Sequence, residues 1–154
     1  MAAFAQGPIT KDNWLSHPSI TEIRSIYQQV NALVSSKQLK KDSNKCELHD
    51  GNVVMTAELY RNKQDVVRKL VIDGGSGDSS VRAEYYYDKQ GTPRFTFRKQ
   101  GAVNGTWKEF RIYYGVDGQH LFSQNLQGGP GYTDSGFADA EPDPELAYGK
   151  ACKE

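Results

Sequence analysis

The sequence predicts an α+β domain, with one N-terminal helix packed on a twisted antiparallel β-meander of about six strands, cystatin-like or half-barrel in type. Three observations carry this. An apolar stripe at helical spacing opens the chain, runs of period-two alternation follow it, and Asp- and Gly-containing turns separate those runs at short intervals.

Residues 1–17 read as an irregular arm in which Trp14 and Leu15 are the expected anchors. Ser19-Ile20-Thr21-Glu22 has the form of a capping box, with Ser19 as N-cap and Glu22 at the third helical position. Ile20, Ile23, Tyr27, Val30 and Val34 then recur at helical spacing, widened by Ile26 and Leu33. A helix over about 19–36 with one buried face is expected.

Strands follow. The first, 46–48, is short and ends at the turn cluster His49-Asp50-Gly51-Asn52. Val53, Met55, Ala57 and Leu59 alternate with Val54, Thr56, Glu58 and Tyr60 in a half-buried strand. In 66–72 the adjacent Arg68 and Lys69 leave the inward face open. Strand 107–114 puts Phe110, Ile112 and Tyr114 on one side and Glu109, Arg111 and Tyr113 on the other. Gly115-Val116-Asp117-Gly118 turns it into a last strand through Phe122, with a register that Asp117-Gly118 leaves open.

The strongest local signal is the hairpin over 83–98. If Lys89, Gln90 and Gly91 form a three-residue loop, Gly91 takes the left-handed position and Asp88 pairs with Thr92. Counting outward, Tyr87 faces Pro93, Tyr85 faces Phe95 and Ala83 faces Phe97. The other face then pairs Tyr86 with Arg94, Glu84 with Thr96 and Arg82 with Arg98. A slip of one residue would invert every side chain, so this register fixes the expected faces. The two hairpins share a weak repeat of aromatics, an Asp- and Gly-containing turn, and more aromatics.

At 154 residues the chain is one domain, with an arm at 1–18, a helix-plus-sheet body at 19–124 and a Gly/Pro/Asp-rich tail at 125–154. Asp143-Pro144-Glu145 could open a short final helix in that tail. The 19 basic and 19 acidic residues cancel, and Lys37, Lys40, Lys41 and Lys45 form no uninterrupted basic run. Nucleic acid is therefore not an expected partner. No run of about 20 apolar residues exists, so no membrane span is expected. Ala3-Phe4-Ala5 before Gln6 has the form of a signal-peptidase site, which points to a secreted or periplasmic protein carrying a leader remnant. The cysteines, Cys46 and Cys152, suit one disulfide tying the tail to the start of the sheet.

Motifs for chemistry are scarce. His17, His49 and His120 lack zinc-pair spacing, so neither a metal nor a cofactor is expected. No nucleophile–base–orienter set is visible, and the chain is read as not an enzyme. The stretch 73–80 is the most loop-like segment, with Ser76, Gly77 and Asp78 as a candidate binding loop, but it fits neither an EF-hand nor a phosphate loop. Asn104-Gly105-Thr106 is a glycosylation sequon or a turn. The remaining candidate surface is an outward sheet face displaying Arg82, Glu84, Tyr86, Arg94, Thr96, Arg98, Glu109, Arg111 and Tyr113, rich in residues common at binding hot spots. The opposite face, with Tyr85, Phe95, Phe97, Phe110 and Ile112, is large and apolar, and it either packs completely on the helix or leaves a pocket at its mouth that would take an apolar ligand.

Glu84-Tyr85-Tyr86-Tyr87-Asp88-Lys89-Gln90-Gly91 and Arg111-Ile112-Tyr113-Tyr114-Gly115-Val116-Asp117-Gly118 resemble a pattern in small, uncharacterised secreted bacterial proteins. There, strands ending in Tyr-Tyr-Phe-Asp precede an Asn-Gly turn, after a helix of Ile-Arg-x-Ile-Tyr type matched here by Ile23-Arg24-Ser25-Ile26-Tyr27. The resemblance covers roughly residues 20–124 and departs in the turn sequence, the tail and Cys152. It implies a secreted helix-plus-meander domain and transfers no functional residue.

These readings favour a non-catalytic secreted or periplasmic binding module for a protein partner, such as an inhibitor or envelope factor. The alternatives are a carrier of a small apolar ligand in a helix–sheet cavity and, with least support, a hydrolase whose site has no local motif. The sequence leaves the oligomeric state open.

Overall fold

The computed structural model describes residues 7–48 and 50–129. One helix, α1 (Pro18–Ser35), precedes seven strands: β1 (Lys40–Leu48), β2 (Val53–Arg61), β3 (Val67–Gly75), β4 (Ser79–Tyr87), β5 (Pro93–Ala102), β6 (Trp107–Tyr114) and β7 (His120–Gly128). They form a single antiparallel sheet in the order β1-β2-β3-β4-β5-β6-β7, so every neighbour in sequence is a neighbour in space. The fold is α+β as expected, with seven strands instead of about six. The first strand begins at Lys40, and the last runs through Gly128, past the expected end of the sheet.

The helix starts two residues earlier than the capping-box reading. His17 is the N-cap, its Nδ1 accepting from Ser19 N–H at 3.2 Å, while Nε2 lies 3.1 Å from the Gly7 carbonyl. Pro18 follows at the first helical position, where its fixed φ is already helical and its missing N–H costs nothing. At the other end Lys37 adopts φ 59°, Gln38 N–H donates to Leu33 O and Lys37 N–H to Val34 O, closing the last turn in a Schellman arrangement.

The helix lies over β4 and β5. Ile20, Ile23 and Val30 are buried against Leu39, Tyr86, Phe95 and Tyr113, with Trp14, Ile26, Leu33 and Phe122 packed around them. Trp14 anchors the N-terminal arm by stacking on Phe122 (centroids 5.8 Å apart), whereas Leu15 is exposed. A second cluster of Leu59, Val67, Leu70, Ala83, Tyr85 and Tyr87 occupies the other face of the sheet.

The hairpin register differs from expectation by one residue. The turn itself is as read. Asp88 N–H bonds Thr92 O, Gly91 has φ 83°, Asp88 Oδ1 accepts from Gln90 and Thr92 N–H, and Tyr87 pairs with Pro93. Beyond it a bulge leaves Arg94 unpaired, so Tyr86 faces Phe95, Tyr85 faces Thr96 and Glu84 faces Phe97. A bulge turns two consecutive side chains to one side. Arg94 and Phe95 both point toward the helix, and every later residue of β5 changes face. Tyr85 and Phe95 therefore lie on opposite faces, contrary to the simple count.

The same device recurs. β3 skips Arg68 against β2, and β7 skips Leu121 against β6. Each bulge follows a three-residue turn closed by paired backbone bonds, over Asn62–Val66, Asp88–Thr92 and Gly115–Gln119. Asn62 Oδ1 accepts from Gln64 and Val66 N–H, as Asp88 Oδ1 does from the matching residues of its own turn. The weak repeat of two hairpins is thus a repeat of three, and all three bulges lie at one end of the sheet. In β3 the bulge resolves the Arg68-Lys69 ambiguity, because both side chains take the helix side while Val67 and Leu70 join the far cluster.

The loop expected over 73–80 is shorter than its composition suggests. β3 extends through Gly75 and β4 starts at Ser79. Gly74, within β3, pairs with Met55 of β2, and Met55 Sδ occupies the place a Cβ would take. Asn104-Gly105-Thr106 is a turn, with Gly105 at φ 89° and Asn104 Oδ1 accepting from Thr106 N–H. Among the described residues no helix is long and apolar enough to cross a membrane.

Candidate functional site

The bulge in β5 decides what the helix covers. Phe95 and Phe97 turn toward α1, beside Tyr113 and Arg111 of β6 and Glu84 and Tyr86 of β4. The helix fills only part of this face. A cleft of about 470 Å³ remains at its N-terminal half, lined by Trp14, Ile23, Arg24, Tyr27, Glu84, Phe95, Phe97, Arg111 and Tyr113.

Its floor is aromatic. Phe95 and Tyr113 lie 4.9 Å apart, Tyr27 meets Phe95 edge-on at 5.7 Å, and Trp14 tilts over Tyr113 at 6.2 Å. Such offset and edge contacts fix the rings beyond what area burial alone would do. Tyr27 is nonetheless 39% exposed, so its ring is a wall of the cleft and not core.

Two arginines rim it. Arg24 lies 5.8 Å over the Trp14 ring and Arg111 5.2 Å over Phe97. Arg111 has a partner in Glu109 at 3.4 Å, while Arg24 has no carboxylate partner among the described residues. Tyr113 is buried, and its hydroxyl bonds no described protein group. Burial pushes its pKa up, against the opposing influence of Arg111 and Arg24, so the hydroxyl stays a neutral donor.

On the inner side Glu84 accepts from Tyr86 Oη at 2.6 Å and pairs with Lys69 at 3.3 Å and Arg82 at 3.2 Å. Burial alone would raise the Glu84 pKa, but the Tyr86 hydrogen bond and the two cations outweigh it and hold the carboxyl below its ordinary range. Lys69 also donates to Asn31 at 2.8 Å and lies 4.9 Å over the Tyr86 ring. The Tyr86 hydroxyl is driven well above the usual tyrosine range by burial and by Glu84.

The expected outward Arg/Tyr face is not formed. Glu84, Arg111 and Tyr113 line the cleft, and Tyr86 is fully buried under Tyr27 at 4.8 Å. Arg94 is buried at the bulge, bonded to Glu22 and to the Tyr114 carbonyl. Arg98 is on the opposite face, donating to Tyr85 Oη at 3.1 Å, and Thr96 is buried there too. Glu109 stays beside Arg111, and only Arg82 is freely exposed, bonded to Asp73 at 2.7 Å. The expected pairing of Arg82 with Arg98 does not arise: Arg82 faces Lys99, the two arginines point to opposite faces, and Asp73 and Glu84 flank Arg82.

Ser76, Gly77 and Asp78 form the tip of the β3–β4 turn, tied by Ser76 Oγ to Asp78 Oδ1 at 2.6 Å, and lie away from the cleft. Cys152 and the 143–145 segment lie outside the described residues, as do residues 1–6 and His49. The sequence pattern marks Trp14, Tyr27 and Phe97 as packing groups and does not single out Arg24. A signal was present in the helix, where Arg24 and Tyr27 are three residues apart and share a side. Among the described residues no group of three or more His, Cys, Asp or Glu converges as a metal site would require. Comparison with protein-family models, curated proteins and solved structures returns no match to this chain.

Proposed function

We propose that this protein is a non-catalytic binding module that takes a small ligand with a flat apolar body and an acidic group into the cleft between α1 and β4–β6. One observation carries the reading: an open cleft of small-molecule size joins an aromatic floor to Arg24, Arg111 and the Tyr113 hydroxyl. The rings would sandwich a flat body, and the cations and the phenol would engage its acid. Glu84 supports binding over proton transfer, since Lys69 and Arg82 hold it as an anion. A curved sheet wrapped on one helix, cystatin-like or half-barrel in outline, suits such a cleft because its concave face cannot be filled by the helix alone.

Recognition of a protein partner loses its expected surface with the change of register, so the small-ligand reading takes precedence. Secretion to an oxidising compartment and a Cys46–Cys152 disulfide belong to the same proposal. Intact mass without reductant tests the disulfide, and two alkylatable thiols would sink it.

The functional test is a calorimetric titration with aromatic carboxylates and their neutral amides. The acids should bind more tightly than the amides, Arg24→Ala with Arg111→Ala should erase that preference, and Phe97→Ala should weaken both. No binding of any member, or equal binding of acid and amide, would refute the proposal.

A further inference from the structure

Arg68 and Arg94 are the bulged residues of successive hairpins, and each donates its Nε to the carbonyl that precedes the next turn. Arg68 Nε bonds Tyr87 O at 3.0 Å, and Arg94 Nε bonds Tyr114 O at 3.0 Å. Their outer nitrogens fare differently. Arg94 Nη1 meets Glu22 Oε1 at 3.0 Å and Asp88 Oδ2 at 3.6 Å. Arg68 is 5% exposed, and its two Nη groups have no hydrogen-bond or ion-pair partner among the described residues. Where Arg94 has Asp88 in its own turn, Arg68 has the neutral Asn62; where Arg94 has Glu22 on the helix, the helix offers Arg68 Ile26 and Gln29. Burial pushes the Arg68 pKa down, and Asp88 alone opposes it.

This guanidinium opens into a second cavity, about 370 Å³, separate from the aromatic cleft. Its charged lining is Arg68, Arg94 and Lys89 against Glu22 and Asp88, which leaves one positive charge in excess. Both acids are already committed to Arg94. We propose that this cavity binds a small monocarboxylate, with Arg68 as the recognising group and Ile26 and Val116 receiving a short aliphatic body. A planar carboxylate matches the two free Nη donors in fork geometry. A single excess charge between two fixed carboxylates favours a monoanion over a dianionic phosphate.

The test follows the Arg68 Nε–H resonance by NMR while butyrate is added at constant ionic strength, with acetate and inorganic phosphate as comparisons. A saturable shift is expected with butyrate, weaker binding with acetate, and no displacement of butyrate by phosphate. Arg68→Gln should weaken butyrate binding about tenfold or more, judged on the remaining cavity resonances. In case that variant unfolds, Gln29→Glu supplies the missing carboxylate from the helix and should raise Tm while abolishing butyrate binding. No saturable shift, undiminished binding in Gln29→Glu, or displacement by phosphate would each overturn the assignment. None of these outcomes depends on Arg24 or Arg111, so this site and the aromatic cleft stand or fall separately.

Discussion

Glu22, just past the first turn of α1, bonds Arg94 of β5 at 3.0 Å, joining the N-terminal part of the helix to the bulge that sets the sheet register. Arg94 is 3% exposed and also serves Asp88 and the Tyr114 carbonyl, while Glu22 remains half in water. The two ends of this contact therefore differ in cost. Arg94→Ala should destabilise by about 3 kcal/mol, since it strands a buried acceptor and Asp88. Glu22→Gln should cost under about 1 kcal/mol, as for other exposed pairs. Urea midpoints for the two variants check the asymmetry, and equal losses would contradict it.

Glu84 makes stability sensitive to acid. Its folded pKa lies below the ordinary 4.5, so its contribution is complete above that pH and is lost as pH falls through the folded value. Glu84→Gln should flatten the acid limb of the stability curve below about pH 4.5 and lower stability at neutral pH by about 1–3 kcal/mol. Tyr86→Phe, which removes the 2.6 Å donor, should cost about 1–2 kcal/mol. Denaturation followed from pH 3 to 7 would reveal an unchanged acid limb if Glu84 is not the source.

Alkali acts through Tyr60. Its hydroxyl donates to Glu58 at 2.7 Å, and burial followed by that partner pushes its pKa up to about 12. A raised folded pKa means full stability below the unfolded value near 10 and a loss as pH climbs toward 12. Tyr60→Phe should remove part of that alkaline loss. Phenolate absorbance during titration checks it, and ionisation of Tyr60 at the ordinary value would refute it.

Backbone strain offers a gain. Lys37 holds φ 59° at the position after the helix C-cap, where glycine carries no Cβ penalty. Lys37→Gly should stabilise the fold by about 0.5–1 kcal/mol, read as a higher Tm. The reverse sign holds at Gly74, where a Cβ would meet Met55 Sδ and the Val54 carbonyl. Gly74→Ala should cost about 1–3 kcal/mol by overpacking.

Much of this fold is local and was legible in the chain. The stripe from Ile20 to Val34 specifies a helix because its apolar groups fall on one side. The three-residue turn at Lys89–Gly91 follows from one glycine at positive φ and one aspartate able to accept two backbone bonds. Such choices are made among residues within a few positions of each other, so sequence alone determines them. The bulges are different. Whether Arg94 is paired or skipped depends on Glu22, far away on the helix, on Asp88, and on the Tyr114 carbonyl of the next hairpin. Nothing within β5 signals that choice, and by alternation it reassigns Phe95, Thr96, Phe97 and Arg98 between the two faces. Local signals therefore set the helix, most of the strands and the tight turns, though not every strand end or the helix N-cap. Which face the helix covers, and so which residues line a cleft, is settled by long-range contacts, because the energy that places a bulge comes from distant strands and the helix.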